Sequence, residues 1–251
     1  MSDNPVAIVT GGSRGVGAAT AKILSENGWN VIITCSSSIE DAKLVAANCS
    51  NKSTEVFAFQ ADVANEQDCI ATIDKAIEKW KRIDALINNA GTSDPKRFKD
   101  LDEESWNYVL NTNLNGAYRV AKNFTDQLIK SKKSGSIVNI ASILGLRVGF
   151  NLSSYATAKA GLIQLTKSMA LELARSNIRV NAIAPGYILT EINDDFFATK
   201  EGQDYINNIP MRRLGLESDL DGILLLLASD ASSFMTGSII PVDGGHLNNP
   251  L

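Results

Sequence analysis

The sequence predicts an α/β fold: a single doubly wound domain over residues 1–251, with a mainly parallel seven-stranded sheet and helices on both faces. Short apolar runs alternate with segments of helical periodicity from one end of the chain to the other. This alternation is typical of βαβ units with right-handed crossovers. No linker, repeat or low-complexity tract interrupts it, so one domain is the simpler organisation.

The first half of the chain contains four predicted strands. Its first run, VAIV, is continuously apolar and ends at glycines, as a strand buried on both faces does. The helix that follows carries apolar residues at spacings of three and four, and Gly28 is a suitable C-cap for it. The same patterns predict strands at 6–9, 31–33, 55–60 and 83–87, and helices at 15–27, 39–49 and 66–80.

The second half repeats the alternation with longer helices. Asn113 lies inside one of them and is a mediocre helix former, so it is a candidate polar kink facing the site. Segment 190–214 is polar and aromatic with weak helical signals, which indicates a candidate substrate lid. The predicted strands are 136–140, 178–183 and 238–242, and the predicted helices are 103–131, 153–175 and 217–229.

Composition argues against several classes of partner. The net charge of −4 gives no general attraction to nucleic acid. We find no secretory signal, and the longest apolar run, residues 223–228, is far shorter than the roughly 20 residues that span a bilayer. Cys35, Cys49 and Cys69 show no CxxC spacing and are expected to be reduced thiols of a cytoplasmic protein.

The single histidine narrows the chemistry further. His246 lies five residues from the C-terminus and is expected to be a tail residue. A Ser-His-Asp triad and a histidine metal cluster are therefore excluded, and no metal site is expected. Proton transfer has to be carried by tyrosine, lysine, carboxylates or water.

A glycine-rich turn after the first predicted strand indicates a dinucleotide site. Its glycines follow the pattern GxxxGxG rather than the commoner GxGxxG, but they allow the same tight turn and close backbone approach to a pyrophosphate. The helix that begins there offers its N-terminus to phosphate. The predicted cofactor residues of this turn are Gly11, Ser13, Arg14, Gly15, Val16 and Gly17.

The end of the second strand predicts which cofactor is preferred. NAD-binding sites usually carry Asp or Glu there, but this chain has Ser36 and Ser37 and no carboxylate before Glu40. Arg14 could neutralise a 2′-phosphate, and the serine hydroxyls could donate to it. We therefore expect NADP(H) to be preferred over NAD(H). The alternative is a solvated Arg14 in a permissive site.

Two further turns are candidate cofactor contacts. Asp62 and Val63 follow the third strand, where the carboxylate could bond the adenine amine. Asn89, Ala90 and Gly91 follow the fourth strand and would lie along the cofactor. Each signal is weak by itself, because Asp and Asn are also ordinary turn residues.

Ser142, Tyr155 and Lys159 are the candidate catalytic residues. Residues four apart share a helix face, so the Lys159 ammonium can lie beside the Tyr155 ring. A free phenol has a pKa of about 10, and a fixed positive neighbour would lower it towards neutrality. A YxxxK pair alone is often a chance surface pair. Here it follows the fifth strand and Ser142, at the edge where such sheets bind ligands.

Together these residues resemble the short-chain dehydrogenase/reductase superfamily. The matched elements are TGGSRGVG at 10–17, the Asp62 turn, NNAG at 88–91, Asn113, Ser142, the YxxxK pair, PG at 185–186 with Thr190, and VDGG at 242–245. The resemblance implies a Rossmann-like sheet of seven strands and usually a homotetramer.

The resemblance also implies residue roles. Tyr155 would be the general acid/base, Lys159 would lower its pKa and bind the nicotinamide ribose, and Ser142 would polarise the substrate carbonyl. Asn113 would position a water that links Lys159 to solvent. Further cofactor contacts, with Thr190 near the carboxamide, would come from Pro185, Gly186, Ile188 and Thr190.

The substrate is not determined by the residues. The chain looks most like 3-oxoacyl-carrier-protein reductases and like sugar-acid, polyol or cyclic-ketone dehydrogenases, which implies a carbonyl or alcohol, with a 3-oxoacyl thioester favoured. Candidate pocket residues, which could equally be core or lid packing, are Leu144, Phe150, Tyr187, Ile192, Phe196 and Phe197. Most are apolar and suit an acyl chain or a ring.

Two alternatives concern partners and activity. An acidic carrier protein could dock on Lys130, Lys132, Lys133 and Arg175, although such residues are more often helix-end cations. The fold could also serve a non-catalytic nucleotide-sensing protein. Such a protein would not need to keep Asn113 together with the three catalytic candidates.

Overall fold

A seven-stranded parallel sheet forms the centre of the molecule. The computed structural model describes residues 4–190 and 197–248. The strand order is β3-β2-β1-β4-β5-β6-β7, with every neighbouring pair parallel. The strands are β1 Val6–Val9, β2 Asn30–Cys35, β3 Val56–Gln60, β4 Ala85–Asn88, β5 Gly135–Ile140, β6 Ile178–Pro185 and β7 Ile239–Val242.

Helices connect the strands, and local sequence fixes several of their ends. The Asn65 side chain accepts from the first-turn amides of α3, and Lys81 ends that helix in the left-handed region. Asp102 caps α4 in the same way. The helices are α1 Gly15–Glu26, α2 Ile39–Cys49, α3 Glu66–Trp80, α4 Glu103–Leu110, α5 Ala117–Ser131, α6 Ser153–Leu173, α7 Lys200–Asn207 and α8 Asp221–Ala228.

Both faces of the sheet are covered, because successive strand residues point to opposite sides. On β1, Ala7 and Val9 pack into a core with α1, α2 and α8. Val6 and Ile8 pack into a second core with α3, α5 and α6. The predicted α/β class, with a parallel sheet between two layers of helices, is confirmed.

The stretch 103–131, predicted as one helix, is interrupted. Residues Asn111–Gly116 form a π-helical turn between α4 and α5. Gly116 allows close packing there, since a Cβ on it would lie 2.6 Å from a Val63 methyl. The wider turn also aims Asn113 at residue 92. Such π-turns are frequent at functional sites.

Two further predictions concern the candidate lid at 190–214 and the membrane. Helix α7 lies inside the segment predicted as a lid, whereas Ile192 and Phe196 fall outside the described residues. Among the helices that are described, none has the length and apolar character to cross a bilayer.

The strand order locates the ligand edge. β1 lies between β2 and β4, so the direction of strand addition reverses between β1 and β4. In open α/β sheets the crevice outside the carboxyl ends of the strands at such a reversal binds ligands. The turns after β1 and β4 meet there.

Candidate active site

One cleft at the carboxyl edge gathers most of the predicted cofactor residues. Its volume is about 450 Å³. The predicted residues that line it are Gly11, Ser13, Arg14, Gly15, Val16, Gly17, Ser36, Ser37, Asp62, Val63, Asn89, Ala90, Gly91 and Thr190. A larger cleft of about 1100 Å³ lies at the opposite edge around Asp84 and Arg179, but none of the predicted residues lines it.

The glycine turn is shaped by close backbone contacts. Gly11 has φ +66°, and a Cβ on it would lie 2.9 Å from Ala90 Cα. A Cβ on Gly17 would lie 2.1 Å from the Gly11 carbonyl oxygen. Glycine is therefore required at both positions if this turn is to pack against the turn after β4.

Thr10 and Asn89 hold these two turns together. Thr10 Oγ1 accepts from the backbone amides of Asn89 and Ala90, each at 3.0 Å. Asn89 Nδ2 donates to the carbonyl oxygens of Thr10 and Gly11, each at 2.9 Å. Asn89 thus holds the glycine turn against the turn after β4, and its side-chain amide is already engaged in these bonds. We call these two joined turns the glycine cradle. Thr10 begins the glycine-rich motif, but nothing in the sequence pattern indicates this function.

At one end of the cleft, a positive charge and three hydroxyl groups have no partner within the described residues. Arg14 is exposed, and within the described residues it forms no ion pair or side-chain hydrogen bond. The same is true of the hydroxyls of Ser36, Ser37 and Ser38, and Ser38 leaves its N-cap position on α2 unused. The first turn of α1 contains no acidic residue. This donor set fits the phosphate groups of a dinucleotide.

Sequence reasoning missed one wall of the cleft. Thr92, Tyr108 and Thr112 line it from the loop after β4 and from α4 and the π-turn. Thr92 Oγ1 donates to the Tyr108 hydroxyl at 3.1 Å. The helical pattern of 103–131 could not show which side chains face the cleft, because it gives no position for the helix relative to the sheet.

Ser142, Tyr155 and Lys159 meet beside this cleft. Ser142 is buried just after β5, accepts a hydrogen bond from Leu144 N at 3.1 Å, and lies close enough to the Tyr155 hydroxyl to oppose the rise in the pKa of that phenol. Lys159 Nζ lies 5.6 Å from the centroid of the Tyr155 ring. It donates to the Ile140 carbonyl at 2.7 Å.

The ionisation of this pair differs from the expectation. Burial raises the pKa of Tyr155, the nearby Ser142 hydroxyl opposes this rise, and a charge on Tyr187 would add to it. The expected lowering of this pKa by Lys159 is therefore not found. The ammonium is directed at the Ile140 carbonyl, and burial lowers the pKa of Lys159 itself to about 8.

Asn113 reaches the same region from the π-turn. Its Oδ1 accepts from Thr92 N at 2.7 Å, and its Nδ2 donates to Thr92 O at 2.8 Å. A Cβ on Gly91 would lie 3.4 Å from Asn113 Oδ1 and 3.7 Å from Lys159 Nζ. Asn113 thus fixes the backbone after Gly91 next to the lysine amine.

The segment after β6 borders the cleft from the other side. Pro185 is the last residue of β6 and pairs with Val242. Gly186 packs against Asp243, since a Cβ on it would lie 2.8 Å from Asp243 Cα. Ile188 is bridged to Gly215, and Thr190 reaches the cofactor cleft.

The candidate pocket residues do not form one group. Tyr187 contacts the rings of Phe197 and Tyr205 at centroid distances of 5.6 and 5.8 Å, and Phe197 is only 4% exposed, as expected of packing. Leu144 is partly buried near Gly149. Phe150 is 92% exposed.

The basic residues considered for carrier docking lie far from this site. Lys130, Lys132 and Lys133 precede β5, Arg175 precedes β6, and all four are exposed. Ser142 follows the other end of β5. A strand of that length spans about 20 Å, so within one chain the patch and the candidate catalytic residues occupy opposite edges of the sheet.

Replacing Lys159 by methionine should stabilise the protein while abolishing turnover. The pKa of the buried amine falls from 10.5 to about 8, a difference of about 3 kcal/mol. Methionine removes this penalty but leaves the Ile140 carbonyl unpaired at a cost of about 1–3 kcal/mol. Urea unfolding at pH 7 should therefore give K159M a net gain of ~1–2 kcal/mol.

The pH dependence gives a sharper check of the same prediction. Below about pH 8 the folded protein carries the full penalty, because the amine is charged in both states. Between about 8 and 10.5 the folded protein loses the proton and the unfolded chain keeps it, so the wild type gains stability and the advantage of K159M shrinks. Lys167→Met, exposed on the same helix, should show neither effect; an equal profile for both variants would contradict the argument.

Comparison with known proteins agrees with this arrangement. A family model described as Enoyl-(Acyl carrier protein) reductase matches residues 11–246. The 3-oxoacyl-(acyl-carrier-protein) reductase FabG of Staphylococcus aureus is 36% identical over 239 residues, which cover 95% of this chain and 96% of the relative.

Solved structures of dehydrogenases and reductases are also similar to this chain. Levodione reductase superposes with a TM-score of 0.92 at 30% identity and full coverage of both chains. A short-chain type dehydrogenase/reductase from Mycobacterium marinum superposes with a TM-score of 0.91 at 31% identity, covering 98% of this chain and 96% of that one. With its parallel sheet, glycine cradle and Ser-Tyr-Lys cluster, the chain belongs to the short-chain dehydrogenase/reductase superfamily.

Proposed function

We propose that the protein is an NADP(H)-dependent oxidoreductase that reduces a carbonyl group, with a 3-oxoacyl thioester as its main substrate class. The observation that carries the proposal is the Ser142, Tyr155 and Lys159 cluster beside the cleft at the carboxyl edge. A non-catalytic nucleotide sensor on the same fold would not need this cluster. The single catalytic domain would extend over residues 1–251.

The cleft residues suit the cofactor. The glycine turn would receive the pyrophosphate, Asp62 would lie at the adenine, and Arg14 with the serines after β2 would hold the 2′-phosphate. The segment from Pro185 to Thr190 would contact the nicotinamide end, together with Tyr155 and Lys159. A bound nicotinamide supplies the hydride.

The protonation of the cluster favours the reductive direction. The pKa of Tyr155 is raised, so its phenol is protonated at neutral pH and can donate a proton to the substrate oxygen. Ser142 offers a second hydroxyl to the negative charge that grows on that oxygen. Alcohol oxidation needs the phenolate and would therefore improve as the pH rises. Asn113 would help to connect the Lys159 amine to solvent.

The choice of a thioester rests on the relatives. The Staphylococcus aureus relative is a 3-oxoacyl-carrier-protein reductase, whereas levodione reductase, by its name, acts on a different compound. Reduction of sugar acids, polyol-related ketones or cyclic ketones is the alternative. Following NADPH absorbance with acetoacetyl thioesters, keto-sugars, quinones and cyclic ketones tests the choice. No turnover with any thioester would overturn it.

An acidic carrier protein would have to approach from the opposite edge if it used the basic patch. The patch at Lys130, Lys132, Lys133 and Arg175 is about 20 Å from this chain's own Ser142. A carrier bound there would serve a neighbouring subunit, and the exposed Ile129 and Leu171 on α5 and α6 suit the homotetramer that the family implies. Free thiols at Cys35, Cys49 and Cys69 suit a cytoplasmic location.

Replacing Arg14 by alanine should shift cofactor preference. Loss of a charge-assisted contact to the 2′-phosphate, worth about 1.5–3 kcal/mol, should raise KM for NADPH by ~10–100-fold. KM for NADH should barely change, because NADH lacks that phosphate. Initial rates with both cofactors measure the effect, and Arg175→Ala at the opposite edge is the control. A wild-type preference for NADH, or equal losses with both cofactors, would contradict the role of Arg14.

A further inference from the structure

The loop after Ser142 turns Arg147 back towards the active-site edge. Leu144 N donates to Ser142 Oγ at 3.1 Å, and Arg147 N donates to the Ile143 carbonyl at 2.9 Å. These bonds form a short helical turn that begins at Ser142. Arg147 therefore stands one turn beyond the candidate catalytic serine.

Arg147 also contacts the C-terminal segment. Its Nη1 donates to the His246 carbonyl at 3.0 Å, although 99 residues separate the two in sequence. The His246 ring lies 5.5 Å from the Tyr187 ring. Tyr187 follows Gly186 at the end of β6, so the segments after β5, β6 and β7 meet in one cluster at the carboxyl edge of the sheet.

The cluster contains an uncompensated positive charge. Arg147 is exposed, and across residues 4–190 and 197–248 no carboxylate lies within ion-pair distance of its guanidinium. The nearby acid, Asp243, directs its two oxygens to the amides of Gly245 and Leu247 at 2.9 and 2.8 Å.

The charge of Arg147 acts on the two rings of this cluster. Arg147 lowers the pKa of His246 and opposes the rise in the pKa of Tyr187. A charge on Tyr187 in turn influences Tyr155. Arg147 follows Ser142 by only five residues on this turn, and one of its five guanidinium donors is used on His246.

We propose that Arg147 is a specificity-determining residue that binds an anionic group of the substrate, a carboxylate or a phosphate, while the carbonyl lies at Ser142 and Tyr155. The inference rests on the proposed carbonyl reduction and narrows its substrate class to anionic carbonyl compounds. Two parallel N–H groups of a guanidinium can donate to two oxygens of one carboxylate or phosphate. The exposed side chains of Leu146 and Val148 on either side provide apolar contact for the carbon chain between the two groups.

Two matched substrate pairs test the proposal. One pair is a 3-oxo ester with a terminal carboxylate and the same compound as its methyl ester. The other is acetoacetyl-4′-phosphopantetheine and acetoacetyl-pantetheine. Arg147→Met should lower kcat/KM for the charged member of at least one pair by ~10–100-fold, mainly through KM, and for the neutral member by less than ~2-fold. The pair that responds identifies carboxylate or phosphate.

Control variants separate this role from a structural one. Arg147→Lys keeps the charge without the fork and should lose less than Arg147→Met on the charged substrate; it also serves if the methionine variant does not fold. Arg97→Met, another exposed arginine, should change neither pair. Equal losses on charged and neutral members would overturn the subsite and leave carbonyl reduction standing. Wild-type inactivity on all four compounds would overturn both.

Discussion

Replacing Tyr155 by phenylalanine should reduce carbonyl turnover by at least ~10²-fold, the usual scale of general acid/base assistance. The variant keeps the ring that lies beside Lys159 and removes only the hydroxyl that lies near Ser142. Because the phenol is protonated at neutral pH, it is the group from which the substrate oxygen would take its proton. Stopped-flow measurement of NADPH oxidation with a responsive carbonyl substrate gives the rate.

The same variant must leave cofactor binding and folding intact for this interpretation to hold. The Kd for NADPH, followed by its fluorescence, should stay near the wild-type value, and the melting temperature should change little. Tyr118→Phe, an exposed tyrosine on α5, is the matched control and should have full activity. Near-normal turnover by Y155F would mean that another group delivers the proton, and the assignment of Tyr155 would be rejected.

The fold could be predicted from the sequence because the strands are buried on both faces. VAIV at β1 and NVIITC at β2 are continuously buried, and such runs are recognisable in the sequence. The predicted ends of the strands are less accurate where a buried residue is not paired with a neighbouring strand. The sequence predicts that the fourth strand starts at Ile83, which is buried, but β4 begins at Ala85. The apolar character of a residue predicts that it is buried, but not whether its backbone is hydrogen-bonded to a neighbouring strand.

That most of the predicted cofactor residues meet in one cleft could be predicted for a topological reason. In a parallel sheet every loop after a strand opens at the same edge, so the turns at Gly11, Ser36, Asp62 and Gly91 had to converge. The face that α4 presents to the cleft was not predictable, and Tyr108 was missed for that reason.

Electrostatic properties could not be derived in this way. The pKa of Tyr155 depends on its burial and on Ser142 and Tyr187, which reach it from two other segments. The sequence offered only the local Lys159, and so predicted a lowered pKa where the structure has a raised one. His246, expected to be an uninvolved tail residue, contacts Tyr187 and Arg147 through the return of the chain after β7.

Replacing Gly17 by alanine should disrupt the cofactor cradle more strongly than any other single-methyl change at the cleft. The added Cβ would lie 2.1 Å from the Gly11 carbonyl oxygen and 2.6 Å from Asn89 Nδ2. Neither neighbour can move freely, because Asn89 Nδ2 is bonded to that carbonyl and to the Thr10 carbonyl. The glycine turn would have to shift away from the turn after β4. We expect a loss of ~1–3 kcal/mol in unfolding free energy from overpacking.

Cofactor binding should suffer more than stability, because the displaced turn is the part of the cleft that would approach the pyrophosphate. NADPH titration should give a Kd at least ~10²-fold above wild type, equivalent to about 3 kcal/mol. Gly222→Ala is the matched control: it also lies in the first turn of a helix, α8, but its Cβ would meet nothing within 4 Å. That variant should bind NADPH normally and be neutral or slightly more stable, since alanine favours helix over glycine by up to ~1 kcal/mol. Normal NADPH affinity in G17A would show that cofactor binding does not depend on the close packing of residue 17 against Gly11, and the cradle would have to be assigned elsewhere along the carboxyl edge.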